Sequence, residues 1–383
     1  MIYLDNAATT FPKPSCVISE MTRAQSLYGA NPGRGGHFLT MKAGKKVYLC
    51  RSALAEFFSA SEERVIFTNN CTTALNMAIK GSVKKGGHVL ISSLEHNSVL
   101  RPVHKLSQQG IVSYDVFEVN PLSDEETFRN FIKLVNEDTA LVVCTAVSNV
   151  FGTVLPFVKI GSFCRTRKIR FILDGAQAAG SHRINLTEMP VDILCLPGHK
   201  GLLGPMGTGV LILSENTDID SFCEGGTGSN SLYENQPDFY PDKLESGTVN
   251  LPGIAGLYEG IRYIKDYGGE YAVLQKERSL IELLREDLSV MKNVRIYDEM
   301  LSRRLSNVLS INVSDFHSEQ VAQHLDKAGI AVRAGYHCSY LAHKTYGTEE
   351  KGTVRISTGI FNTKKDVKTL SFCLNKIAMG KKM

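Results

Sequence analysis

Two short segments carry the clearest chemical signal. Ile172-Leu173-Asp174-Gly175-Ala176-Gln177 is an apolar run that ends in an acid and small residues. In an open parallel sheet, ligands bind beyond the carboxyl ends of strands, which places Asp174 where a cofactor would sit. Taken alone, Asp174 is equally readable as a helix N-cap. The second segment, Gly198-His199-Lys200-Gly201 through Gly209, sets a lysine in a glycine-dense loop after another apolar run. Glycine permits close backbone approach, and a lysine held there can form a Schiff base with a carbonyl cofactor. Alone, Lys200 reads as well as a solvated loop residue. Together, an acid at one strand end and a lysine just past the next match a pyridoxal phosphate site. The acid would pair with the ring nitrogen and the lysine would carry the cofactor.

A phosphate needs a cradle, and helix N-termini provide one. Thr68-Asn69-Asn70-Cys71-Thr72-Thr73 runs from an apolar stretch into a helical pattern, with Thr72 as the candidate ligand. Simple N-capping by Asn70 or Thr72 would look the same in sequence. Further on, Cys338 stands in Val332-Arg333-Ala334-Gly335-Tyr336-His337-Cys338-Ser339, with Arg355 beyond. Cationic neighbours would lower its thiol pKa and make it a nucleophile or sulfur acceptor. An incidental free cysteine is the other reading.

The elements that must position these residues follow from the apolar pattern. Residues 65–68, 88–92, 140–145, 169–173, 191–196 and 208–213 read as strands, several of them continuously apolar, as strands buried on both faces are. Helix-length stretches at 72–82 and 124–136 lie between them. The alternation predicts an α/β domain with a mostly parallel sheet flanked by helices. After about residue 250 a helical pattern takes over. It leads through residues 308–313 and a helix at 318–328 into a smaller C-terminal α/β domain, joined by a long helix. The expected division is 14–255 for the large domain and 256–383 for the small one, with 1–13 packing as an N-terminal arm.

Composition excludes several classes. The 383 residues carry 43 Lys and Arg against 39 Asp and Glu, a net charge of +4. That balance implies no nucleic-acid or anionic-membrane partner. No Gly-x-Gly-x-x-Gly follows a strand, and there is no Walker or His-Glu-x-x-His motif. The nine cysteines form no Cys-x-x-Cys pair, so no metal site is expected. The start lacks a secretory pattern, and no apolar run is long enough to span a bilayer. A reducing cytoplasm is expected.

These motifs, with Tyr3–Thr10, Glu95-His96, Ser148–Thr153, Glu245–Thr248 and Val354–Thr358, resemble the cysteine desulfurases of the class V aminotransferase group. These are fold-type I pyridoxal-phosphate enzymes, and the resemblance runs nearly the whole length. It implies that Lys200 carries the cofactor and moves protons at the substrate Cα. It implies that Asp174 pairs with the ring nitrogen, Gln177 bonds the ring hydroxyl and His96 stacks on the ring and acts as an acid–base group. Thr72 and His199 would hold the phosphate, with Thr248 reaching over from the other subunit of a homodimer. Asn149 would lie near the substrate carboxylate and ring hydroxyl. Arg355 would bind the carboxylate, with Arg333 and His37 as further substrate contacts, and Cys338 would receive the sulfur. The implied reaction converts L-cysteine to L-alanine and leaves a persulfide on Cys338 for an acceptor protein.

Three positions depart from the pattern. Pro197 replaces a phosphate-binding serine, Thr73 replaces a glutamate, and Tyr336 precedes His337. A short step from Cys338 to Arg355 is similar to that of members needing a dedicated acceptor, some of which act on selenocysteine. The alternative is therefore a selenocysteine lyase, or another β-lyase or aminotransferase of the same fold.

Overall fold

A computed structural model describes residues 1–33, 35–297 and 306–380. The large sheet has seven strands. In spatial order they are Val65–Thr68, Gly209–Leu213, Ile193–Pro197, Arg170–Asp174, Thr139–Thr145, Gly87–Ser92 and Val112–Phe117. Pairing is parallel from Ile193–Pro197 through Val112–Phe117. Gly209–Leu213 runs antiparallel to both of its neighbours. Val65–Thr68 therefore points the same way as the parallel strands.

Alternate residues of each strand feed two cores, one on each face. Leu90, Val142, Leu173 and Leu194 join one cluster; Ile91, Val143, Ile172 and Ile193 join the other. That two-sided burial is why these strands read as unbroken apolar runs. The outer strand Val112–Phe117 is different. Ser113 and Asp115 are exposed while Val112, Tyr114 and Val116 are not, the alternation of an edge strand with one wet face, and the apolar-run criterion overlooks it.

The small domain holds a four-stranded antiparallel sheet of Arg333–Gly335, Thr353–Ser357, Val308–Val313 and Val294–Ile296. Its core gathers Leu280, Leu284, Leu309, Ile356 and Leu370 together with Leu4 from the N-terminus. The single long helix expected before it is two helices, Leu251–Tyr267 and Gly269–Ser289. Gly268 and Gly269 both take positive φ, 113° and 79°, and the left-handed pair ends one helix before the next begins.

The N-terminal arm is built into both domains. Ile2–Tyr3 pairs with Ile330–Ala331, and Asp5 bridges to Ser357. Beyond it, the His199 carbonyl accepts hydrogen bonds from the Thr10 N–H, the Thr9 hydroxyl and the Lys13 ammonium. Among the described residues, no helix is long and apolar enough to cross a membrane, and no group of His, Cys, Asp and Glu could hold a metal.

Candidate functional site

The sheet explains how residues far apart in sequence converge. Five segments leave strands at the same edge. They are Asn70–Thr72 after Val65–Thr68, Glu95-His96 after Gly87–Ser92, Asn149 after Thr139–Thr145, Asp174–Gln177, and Lys200 after Ile193–Pro197. That edge is the carboxyl side of the parallel strands, the expected place for a ligand.

Asp174 is buried, and its Oδ1 accepts the Ala176 N–H at 2.9 Å. It caps a turn, and the Cys71 thiol lies 3.7 Å from the same oxygen. Burial raises the Asp174 pKa. Burial lowers that of Lys200, helped by Arg355 and Arg333 and opposed by Asp174 and Cys71. The lysine loop is pressed onto the Asp174–Gln177 turn by two glycines. A Cβ on Gly180 would sit 2.2 Å from the Gly201 carbonyl oxygen, and one on Gly201 2.1 Å from that of Ala179. The Gln177 amide donates to the Ala7 carbonyl at 3.0 Å.

At the phosphate candidate, the capping reading holds for Asn70 and not for Thr72. Asn70 is the cap of the helix Cys71–Ser82, accepting the Thr73 N–H at 2.9 Å. That leaves the Thr72 hydroxyl free of capping. It lies 2.7 Å from the Ser98 hydroxyl, which in turn is 2.8 Å from His96 Nδ1. Nδ1 also accepts the Ser98 N–H at 3.0 Å. An accepting Nδ1 assigns the ring proton to Nε2. Burial, with Lys200, Arg333, Arg101 and Arg355, pushes His96 down to about 4, so the ring is neutral near pH 7. Sequence reasoning missed Ser98. Its only signal was a position two residues past a histidine that caps a helix.

His199 is likewise pushed down to about 4, by burial and then Lys200 and Lys13. Its Nδ1 is buried without a protein partner. Glu95, fully buried below the site, is pushed up to about 8 by burial. Its Oε1 accepts from the Thr145 N–H and the Ser92 hydroxyl.

The carboxylate candidates lie on the small sheet. Arg333 and Arg355 are directly opposed on antiparallel strands. Like charges so placed repel and invite an anion. Arg355 is 2% exposed. Its Nη2 bonds Asp5 at 2.6 Å and its Nη1 the Asn149 carbonyl at 3.0 Å, while Nε has no partner. The Asn149 amide grips the cysteine loop at both ends. Its nitrogen donates to the His337 carbonyl at 2.8 Å and its oxygen accepts the Ser339 hydroxyl at 2.7 Å. The Asn97 N–H holds the Cys338 carbonyl at 2.8 Å. Cys338 is exposed.

One expectation is corrected. The sequence places His337 beside Cys338, among the neighbours expected to be cationic. It is buried and pushed down to about 2, by burial first and then by Arg355, so it is neutral. Arg333, exposed on the strand Arg333–Gly335 that leads into the loop, is the cation of that segment.

Two candidates lie outside the groups that these contacts join. His37 is an exposed cap of the helix Phe38–Phe58, engaging Thr40. Thr248 is exposed and 3.5 Å from Asn31. Its loop is anchored by a bidentate Arg51–Glu245 pair at 2.9 and 2.8 Å, which sequence reasoning also missed.

The family model for aminotransferase class-V matches residues 2–370. The chain belongs to this family. It is 33% identical to a probable cysteine desulfurase of Methanothermobacter thermautotrophicus, over 98% of this chain and 94% of that protein. It is 30% identical to one of Borreliella burgdorferi, over 98% and 92%. The apo structure of a cysteine desulfurase from Thermococcus onnurineus superposes with a TM-score of 0.90 at 30% identity, covering 99% of this chain and 95% of that one. The family consists of pyridoxal-phosphate enzymes. The residues here fit such a group. A buried acid and a half-buried lysine share one sheet edge, with a helix N-terminus and a buried, unpartnered His199 Nδ1 beside them.

Proposed function

We propose that this chain is a pyridoxal-phosphate-dependent cysteine desulfurase that converts L-cysteine to L-alanine and leaves a persulfide on Cys338. The observation that carries the reading is the meeting of two sets of residues. The Asp174–Lys200 edge of the large sheet faces an exposed cysteine loop that Asn149 and Asn97 hold.

When bound, the cofactor supplies an electron sink for bond changes at the substrate Cα. Lys200 would hold it and move the Cα proton, which its lowered pKa favours. Asp174 would carry the charge opposite the ring nitrogen. Thr72, His199 and the N–H groups opening the helix Cys71–Ser82 would hold the phosphate, with Gln177 and His96 against the ring. Neutral His96 presents an Nε2–H donor. Arg355, with Arg333, would take the substrate carboxylate through charge-assisted hydrogen bonds, and the free N–H of the Asn149 amide would assist. Cys338 as thiolate would attack the substrate sulfur, forming S–S as C–S breaks.

A homodimer that brings Thr248 and His37 to the partner's site, an acceptor protein for the persulfide and a cytoplasmic location belong to the same proposal. All nine cysteines are unpaired, which supports a reducing compartment.

The test is reconstitution with pyridoxal phosphate and assay with L-cysteine and a thiol reductant. Equimolar alanine and sulfide support the reading. A cofactor-loaded protein that releases alanine only from L-selenocysteine would overturn it in favour of a lyase.

A further inference from the structure

The substrate-binding arginine is held by an acid that the mechanism leaves without a task. Asp5 lies on the N-terminal arm, bridged to Ser357, two residues along from Arg355 on its strand. Its carboxylate takes Nη2 of Arg355 at 2.6 Å, while the Asn149 carbonyl takes Nη1. The two acceptors fix the guanidinium on one side. They leave Nε, buried and unpartnered, on the other. A guanidinium this buried needs a counter-ion, and a planar fork gripped by two acceptors has its remaining N–H directions set.

The same arm continues into the other half of the site. Ala7 receives the Gln177 amide, the Thr10 hydroxyl donates to the Lys200 carbonyl at 2.9 Å, and Thr9, Thr10 and Lys13 converge on the His199 carbonyl. One continuous stretch, residues 5–13, thus touches Arg355 at one end and the lysine loop at the other.

We infer that Asp5 is the positioning residue for Arg355: it aims the free guanidinium N–H groups at the substrate carboxylate and, through the arm, fixes their placement relative to Lys200. The inference rests on the proposed amino-acid substrate.

Two variants separate position from charge. Asp5→Glu keeps the charge and displaces the carboxylate by one methylene; Asp5→Asn keeps an acceptor in place and removes the charge. The reconstituted proteins are compared by KM and kcat for L-cysteine, by Kd for L-alanine from calorimetry, and by the visible absorption of bound cofactor. The expected result is a rise in KM and in the alanine Kd of about tenfold for Asp5→Glu, the size of one misaligned charge-assisted contact. kcat and the absorption band should be little changed, and Asp5→Asn, in which the bound amino-acid carboxylate becomes the counter-ion of Arg355, should be within about threefold of wild type in KM and Kd. Wild-type KM and Kd in Asp5→Glu, or an Asp5→Asn protein impaired as much as Asp5→Glu, would overturn the inference. A wild type that binds alanine but releases none from cysteine would instead overturn the functional proposal, leaving the Kd comparison to decide the role of Asp5.

Discussion

The cysteine loop is held against its own backbone preference, and Asn149 supplies the restraint. His337 and Cys338 both take left-handed dihedrals, with φ of 51° and 58°. For ordinary residues that conformation costs about 1–2 kcal/mol each, or roughly 2–4 kcal/mol for the pair. Asn149 contributes two buried hydrogen bonds against this, to the His337 carbonyl and the Ser339 hydroxyl. At about 1 kcal/mol net for each, Asn149→Ala removes about 2 kcal/mol, which corresponds to roughly a 30-fold shift toward the open loop. The Asn149 carbonyl still receives Arg355 in this variant, so the carboxylate site loses only the assisting amide N–H, and the turnover is read at saturating cysteine. Amide hydrogen exchange reads the change directly, because local opening sets the protection. Protection should fall about 30-fold at Asn97, whose N–H holds the Cys338 carbonyl, and at Ser339, whose N–H bonds the Tyr336 carbonyl. The helix Lys364–Ala378 should be unchanged. Persulfide formation on Cys338 in a single turnover should slow by a similar factor. Wild-type protection at Asn97 and Ser339 would refute the argument that Asn149 holds the strained loop.

Two further outcomes are expected. Lys200→Ala should abolish the visible absorption of bound cofactor, since the Schiff-base nitrogen is gone; an unchanged spectrum would sink the assignment. Thermal stability should peak at about pH 6.5. Buried His182, His337 and His343 are depressed below the ordinary histidine value. The unfolded chain therefore binds more protons than the folded one below about pH 6.5, and stability falls with acid. Glu95 and Glu277 are raised to about 8 by burial. The folded state holds their protons from the ordinary glutamate value up to about 8, so above pH 6.5, where the three histidines no longer offset them, stability falls until about pH 8. A midpoint flat from pH 5 to 8 would contradict both assignments.

How much of this was legible in the sequence depended on whether the signal was local. Strands Val65–Thr68 and Val308–Val313 were readable to the residue, the first because Val65-Ile66-Phe67 is unbroken and apolar, the second because Val308, Leu309, Ile311 and Val313 leave only Ser310 and Asn312 polar. The Asp174 and Lys200 segments were readable because strand ends and glycine-dense loops have compact signatures. Edge strand Val112–Phe117 was not, since exposed Ser113 and Asp115 interrupt its apolar residues. The break at Gly268-Gly269 was passed over because each flanking helix keeps helical spacing within itself, although the apolar stripe changes face between Ile264 and Leu280 and a glycine pair marks a turn. Links between distant segments left no local trace. Ser98 joins Thr72 to His96 across 26 residues, Arg51 anchors Glu245 across 194, and Asp5 meets Arg355 across 350. The neutrality of His337 was equally invisible, because it arises from burial in the folded small domain, not from its sequence neighbours.

The central claim is that Cys338 accepts the sulfur. The most direct measurement is alanine released from L-cysteine in the presence of a thiol reductant, wild type beside Cys338→Ala, with the mass of the Cys338 peptide followed in the wild type. A sulfur-accepting Cys338 gives alanine from the wild type only, and one added sulfur atom on that peptide before reductant is supplied. Equal alanine from both proteins, with the peptide unmodified, would contradict it.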